Sequence, residues 1–161
     1  MNRRHATSIG IALPLVIVTF AAGLGAQDAR STCKSIHADM VEARTTTGCK
    51  PGHSACFTGD VDGNHGLHGT TYFKGDSGTP PIPTSPEFSG YSGLFEYTTA
   101  QGTLVARESG VTSGAPGVVT AYQKIIDATG EYAGATGYLF VSGHNDGRRI
   151  VTKVTGEICY P

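Results

Sequence analysis

Hydrophobic and polar positions alternate with a period of two along most of the chain, in runs bounded by Gly, Pro, Asn and Asp. That period belongs to half-buried strands. The last run is the clearest: between Arg148 and Tyr160, Ile150, Val154, Ile158 and Tyr160 face one way, and Arg149, Lys153 and Glu157 the other. Upstream, the pattern predicts strands at Cys56–Val61, Leu67–Lys74, Ser89–Thr99, Thr103–Thr112, Val118–Ala128 and Tyr138–Ser142. Ile36–Thr47 is the first candidate strand, although HADMVEAR within it also suits one or two helical turns. Asp62-Gly63-Asn64, Ala100-Gln101-Gly102 and Asn145-Asp146-Gly147 carry hairpin signals, and Ser113–Gly117 makes a further break. About eight strands suit a barrel closed around side chains or one small ligand, with a sandwich as the alternative. The expected fold is therefore all-β, a single eight-stranded antiparallel β-barrel.

Two stretches interrupt the alternation. Gly75–Glu87 contains Pro80, Pro81, Pro83 and Pro86, which can neither continue a helix nor donate to a central strand ladder. It is expected to form a long loop at a barrel mouth, anchored by Ile82 and Phe88, either limiting access to the interior or standing free as a spacer. Asp127–Gly143, DATGEYAGATGYLFVSG, has Gly130, Gly134 and Gly137 too close together for a helix, followed by an apolar strand. This is a corner of the kind a strongly curled sheet needs at its rim.

At the N-terminus, Arg3 and Arg4 precede the apolar run IGIALPLVIVTFAAGLG, which ends in small residues. Residues 1–26 therefore read as a secretory signal peptide, with an uncleaved anchor as the alternative, and residues 27–161 as the mature domain. Of the 12 basic residues, Arg3 and Arg4 fall in the leader, which leaves 10 against 13 acidic ones, a formal charge of −3. No basic stripe is present for nucleic acid or anionic lipid, so neither is an expected partner, and no membrane contact is expected after cleavage. The expected location is secreted, outside the cytoplasm.

Export gives the cysteines their meaning. Four of them in an oxidising compartment imply two disulfides. Cys49 and Cys56 flank the turn-rich Lys50–Ala55, which favours pairing them; Cys33 and Cys159 then tie the chain ends. Zinc is the rival reading, but there is no Cys-x-x-Cys pair.

Thr129-Gly130-Glu131-Tyr132-Ala133-Gly134-Ala135-Thr136-Gly137, with the following strand, turn and closing strand VTKVTGEICYP, resembles the C-terminal end of allene oxide cyclase and dirigent-type barrels. The resemblance covers roughly the final third of the chain. It implies an eight-stranded antiparallel barrel over residues 27–161 with an apolar cavity, used in that superfamily to cyclise a fatty-acid epoxide or to orient radicals, with no metal or organic cofactor. The family's catalytic acidic residue has no matching motif here, and the cyclases are not disulfide-bonded exported proteins.

Candidate chemistry is sparse. Tyr91, Phe95 and Tyr97 share a strand face, and Tyr72 and Tyr122 lie on other strands; all five are candidate ligand-binding residues, with ordinary core packing as the alternative. Glu96 falls opposite the Phe95/Tyr97 face and is expected at the surface. Glu108 shares its face with Leu104 and Ala106, so it is the candidate catalytic carboxyl, with a raised pKa if it points inward. Asp60, Asp62 and Asn64 begin like a calcium loop, but the glycine comes early and position 71 is Thr, so no metal is expected. Three functions follow: an exported barrel binding an apolar small molecule, a cofactor-independent cyclase, isomerase or dirigent-type enzyme, or a secreted interaction module with a filled barrel.

Overall fold

The structure, a computed structural model, describes residues 32–161 of the 161-residue chain. The signal peptide expected at residues 1–26 lies outside them. The described residues form one closed antiparallel barrel of eight strands, each hydrogen-bonded to its neighbours in sequence. These are β1 (Thr32–Arg44), β2 (Ala55–Gly63), β3 (His68–Ile82), β4 (Ser85–Thr99), β5 (Gly102–Thr112), β6 (Gly117–Ala128), β7 (Thr136–Asn145) and β8 (Arg149–Tyr160). β8 closes on β1 from Thr32↔Tyr160 to Ala43↔Arg149, which leaves the barrel wall without an open edge.

Alternation decides the wall. In β1, Ile36, Ala38, Met40 and Glu42 are buried while their neighbours in sequence are exposed, so HADMVEAR is strand and not helix. In β8, Thr152, Val154 and Ile158 point inward and Lys153 and Glu157 outward. The strands run a few residues past their expected limits in most cases. The turn between β2 and β3 also falls later than Asp62-Gly63-Asn64: Asp60 and Asp62 are exposed strand residues of β2, and the chain reverses after Gly63.

The proline-rich segment departs from expectation. Gly75–Glu87 is not a loop but the outer part of the β3–β4 hairpin, reversing at Pro83-Thr84. β3 pairs with β2 only as far as Gly75, and β4 pairs with β5 only from Ser89, so beyond those points the hairpin is a two-stranded arm. Prolines are compatible with it because each arm strand has an unpaired edge and the ladder slips between Gly75/Ser77, Gly78/Pro81 and Pro81/Ile82. Arg107 of β5 clamps the arm's base through Asp76 and Ser92.

Between β6 and β7 the glycine corner makes a short 3-10 turn over Gly130–Tyr132. Gly130 has φ +63°, and a Cβ there would lie 2.2 Å from the Gln101 carbonyl oxygen, so the position requires glycine. The corner drops Tyr132, fully buried, into that end of the barrel. Tyr132 packs there with Ile36, Leu67, Leu104, Leu139 and Ile158, all 0–1% exposed; each such burial contributes roughly 1.5–3 kcal/mol. The barrel is filled at this end.

Two disulfides complete the fold, Cys33–Cys159 and Cys49–Cys56, as the spacing predicted. They indicate an oxidising environment. Cys33 and Cys159 sit opposite each other on the β1–β8 seam.

Candidate functional site: a carboxyl-bearing cavity at one end of the barrel

The end opposite Tyr132 is open. It holds a cavity of about 290 Å³ beneath the β1–β2, β5–β6 and β7–β8 loops. Its walls are largely apolar, with Met40, Phe57, Phe73, Val119, Val141 and Ile150 among them. Its polar lining residues are Ser54, Thr112 and Asn145 together with Glu42 from β1, Tyr91 from β4, Glu108 from β5 and Thr152 from β8. Strand register explains the space. Glu42 stands opposite Gly59, Glu108 opposite Gly93 and Thr152 opposite Gly143. Directly paired residues project to the same face, so each polar side chain meets bare backbone where a neighbour's side chain would otherwise fill the interior.

The two carboxyls are 6% and 5% exposed for Glu42 and Glu108. Tyr97 anchors the Glu108 side: its hydroxyl donates to Gln123 Oε1 at 2.6 Å, which turns the amide so that Nε2 donates to Glu108 Oε2 at 2.5 Å. Burial raises the Glu108 pKa to about 7, against the opposing effect of Gln123 and Tyr91, which favour its charged form. Among the described residues Glu42 has a single side-chain donor, Thr71 Oγ1 at 3.2 Å. Burial, reinforced by repulsion from Glu108, raises it further, to about 8. The Tyr91 and Tyr97 hydroxyls are themselves pushed up, first by burial and then by Glu108, so both remain neutral donors. Thr152 is 3% exposed, and its Oγ1 has no hydrogen-bond partner among the described residues.

Glu108 and Tyr91 thus come together in the cavity. Phe95 and Tyr97 point inward but lie deeper, fully buried below it, with Phe95 packed between Phe73 and Tyr97. Tyr72 and Tyr122 are on the outer wall and do not line the cavity. Tyr72 donates to the Thr47 carbonyl at 2.6 Å, and Tyr122, 43% exposed, clusters with Tyr138 and Phe140. Glu96 faces outward beside Lys74. Sequence reasoning missed Glu42, Gln123 and Thr152. The signal was there in the parity of Ile36, Ala38 and Met40 with Glu42, of Val119 and Ala121 with Gln123, and of Ile150 and Val154 with Thr152.

The metal candidates resolve differently. Asp60 and Asp62 are on a strand, and Asp62 pairs with His68 at 3.0 Å. Cys49, His53 and Cys56 lie within ligand distance of one another, but both sulfurs are held in the disulfide.

Fold and site together define a small closed β-barrel, filled at one end and carrying two buried carboxyls in a cavity at the other. A scan against protein-family models finds no match to the chain, and a search of curated proteins finds none either. The fold agrees with the expectation from the glycine corner as far as an eight-stranded antiparallel closed barrel, and that assigns the chain to no family.

Proposed function

We propose that the protein is an exported barrel that binds a small, mainly apolar molecule in the open end of its interior. The observation that carries this reading is the apolar cavity of about 290 Å³ in a barrel whose other end is fully packed. For scale, an engineered cavity of roughly 150 Å³ takes up benzene. The signal-peptide-like sequence of residues 1–26 and the two disulfides support export. Titration with an environment-sensitive apolar dye tests it: saturable 1:1 binding is expected, displaced by small apolar competitors and lost in the cavity-filling variant Val141→Phe with the fold retained by circular dichroism. Absence of saturable binding refutes it.

A second reading, a cofactor-independent acid–base catalyst, is favoured by one observation: two buried carboxyls, Glu42 and Glu108, line the same cavity as the Tyr91 hydroxyl, and burial raises the pKa of each carboxyl toward neutrality. Exchange of solvent deuterium into a bound ketone's α-carbon, abolished by Glu108→Gln, is its expected mark.

A further inference from the structure

We infer that the ligand of this cavity is a small primary amine, its ammonium held by the carboxyls of Glu42 and Glu108 and the hydroxyl of Thr152, and its apolar body against Phe57, Phe73 and Val119. The inference rests on the cavity being a binding site, as proposed above, and specifies what binds there.

The cavity receives two carboxyls, yet among the described residues none that lines it is Lys, Arg or His. Element by element, β1 brings Glu42, β4 brings Tyr91 with Tyr97 deeper, and β5 brings Glu108; the lining positions of β2, β3, β6, β7 and β8 bring no titratable group. A buried carboxylate without a protein cation must either keep a proton or receive a positive charge from a ligand. Gln123 and Tyr91 interact with Glu108 so as to favour its ionised form, and so prepare it for the second course.

Hydrogen-bond geometry points the same way. Thr152 Oγ1 is buried, lies on the same cavity wall and has no hydrogen-bond partner among the described residues, so the bond it lacks falls to whatever occupies the cavity, a ligand donor or water. A primary ammonium carries three N–H donors. The cavity offers it oxygens from three residues on three strands, Glu42, Glu108 and Thr152, with glycine opposite each. A divalent metal ion fits less well, because the walls around these oxygens are apolar and a hard cation seeks about six oxygen ligands or more. An alcohol satisfies Thr152 but leaves the carboxyls without a counter-charge, and a carboxylate adds a third negative group.

The test is isothermal titration of the full mature chain with hexylamine, 1-hexanol and hexanoate. Hexylamine is expected to bind about tenfold or more tighter than 1-hexanol at pH 7.5, a charge-assisted preference, with hexanoate weakest. Between pH 6 and pH 8 the amine stays charged, its own pKa being about 10, while the two carboxyls ionise. Hexylamine affinity should therefore rise across that range, with protons released on binding when two buffers of different ionisation enthalpy are compared, and 1-hexanol affinity should not rise. Glu108→Gln should reduce the amine-to-alcohol ratio to about threefold or less. If amine and alcohol bind alike, or hexylamine affinity stays constant with pH and no proton is released, the amine assignment falls while the binding reading stands. If neither these three ligands nor the apolar dye binds, the binding reading falls and takes this inference with it. The pH and proton-release measurements use the unaltered protein, so they decide the matter even where a variant fails to fold.

Discussion

Glu42 and Glu108 differ in what donates to them, and that difference has a thermodynamic consequence. Both titrate near 4.5 when unfolded, and at about 8 and about 7 in the barrel. Below that lower value both states hold both protons; above it the unfolded chain releases protons that the folded one retains. The stability tied to these protons is therefore complete below about pH 4.5 and lost as pH rises through about 7 and 8, at up to about 1.4 kcal/mol per pH unit for each group. Asp76 and Asp146 act the other way, since hydrogen bonds hold their pKa values low, but only at more acid pH. Thermal melts should show Tm falling between pH 5 and pH 8, with a flatter profile in Glu42→Gln; a level profile in the unaltered protein contradicts the burial of these carboxyls as protonated groups. Thr152 makes the companion case. Thr152→Val removes a buried hydroxyl that has no partner among the described residues, so the ligand-free protein should gain about 1 kcal/mol, read from urea denaturation, even as hexylamine binding weakens. Glu108 was legible because Leu104 and Ala106 fixed its face within an unambiguous strand. Glu42 shares the parity of Ile36, Ala38 and Met40, but its segment also suits a helix, and parity assigns a face only once the segment is known to be a strand.

Among the elements, the β3–β4 arm was the least legible. Four prolines argue against a strand within a sheet, and correctly so; they do not argue against a two-stranded arm beyond the sheet, whose outer edges need no donors. Residues 76–84 are exposed and none lines the cavity. Replacing residues 77–87 by a short turn should therefore leave the far-ultraviolet spectrum of the barrel unchanged and shift Tm by only a few degrees, whereas loss of cooperative unfolding would mean that the arm holds the wall together. The glycine corner lies at the other extreme. Its need for positive φ was legible from spacing alone, and contact with the Gln101 carbonyl adds a steric reason. Gly130→Ala should destabilise by about 2 kcal/mol or more, judged by chemical denaturation.

For the molecule as a whole, strand count followed from alternation and turn residues, which are set locally and repeat the same rule eight times, and the disulfide pairing from cysteine placement; the same pattern left a sandwich open, and the barrel closes through the β1–β8 ladder. Which end stays open depends on the registers that set glycines against polar residues, and registers emerge only on closure. The two disulfides should contribute unequally. Cys33–Cys159 spans 126 residues and Cys49–Cys56 spans 7, so chain entropy assigns them about 5 and about 2.4 kcal/mol respectively. Replacing Cys33 and Cys159 by Ser should lower the denaturation midpoint more than replacing Cys49 and Cys56, and the reverse order would show that the β1–β8 ladder alone holds the seam. The seam also sets an orientation. Thr32 and Tyr160 pair at the filled end, so whatever is joined to either of them hangs from the sealed base. Tethered to a surface by either terminus, the barrel stands like a cup with its rim toward the medium, free to fill and empty without being let go.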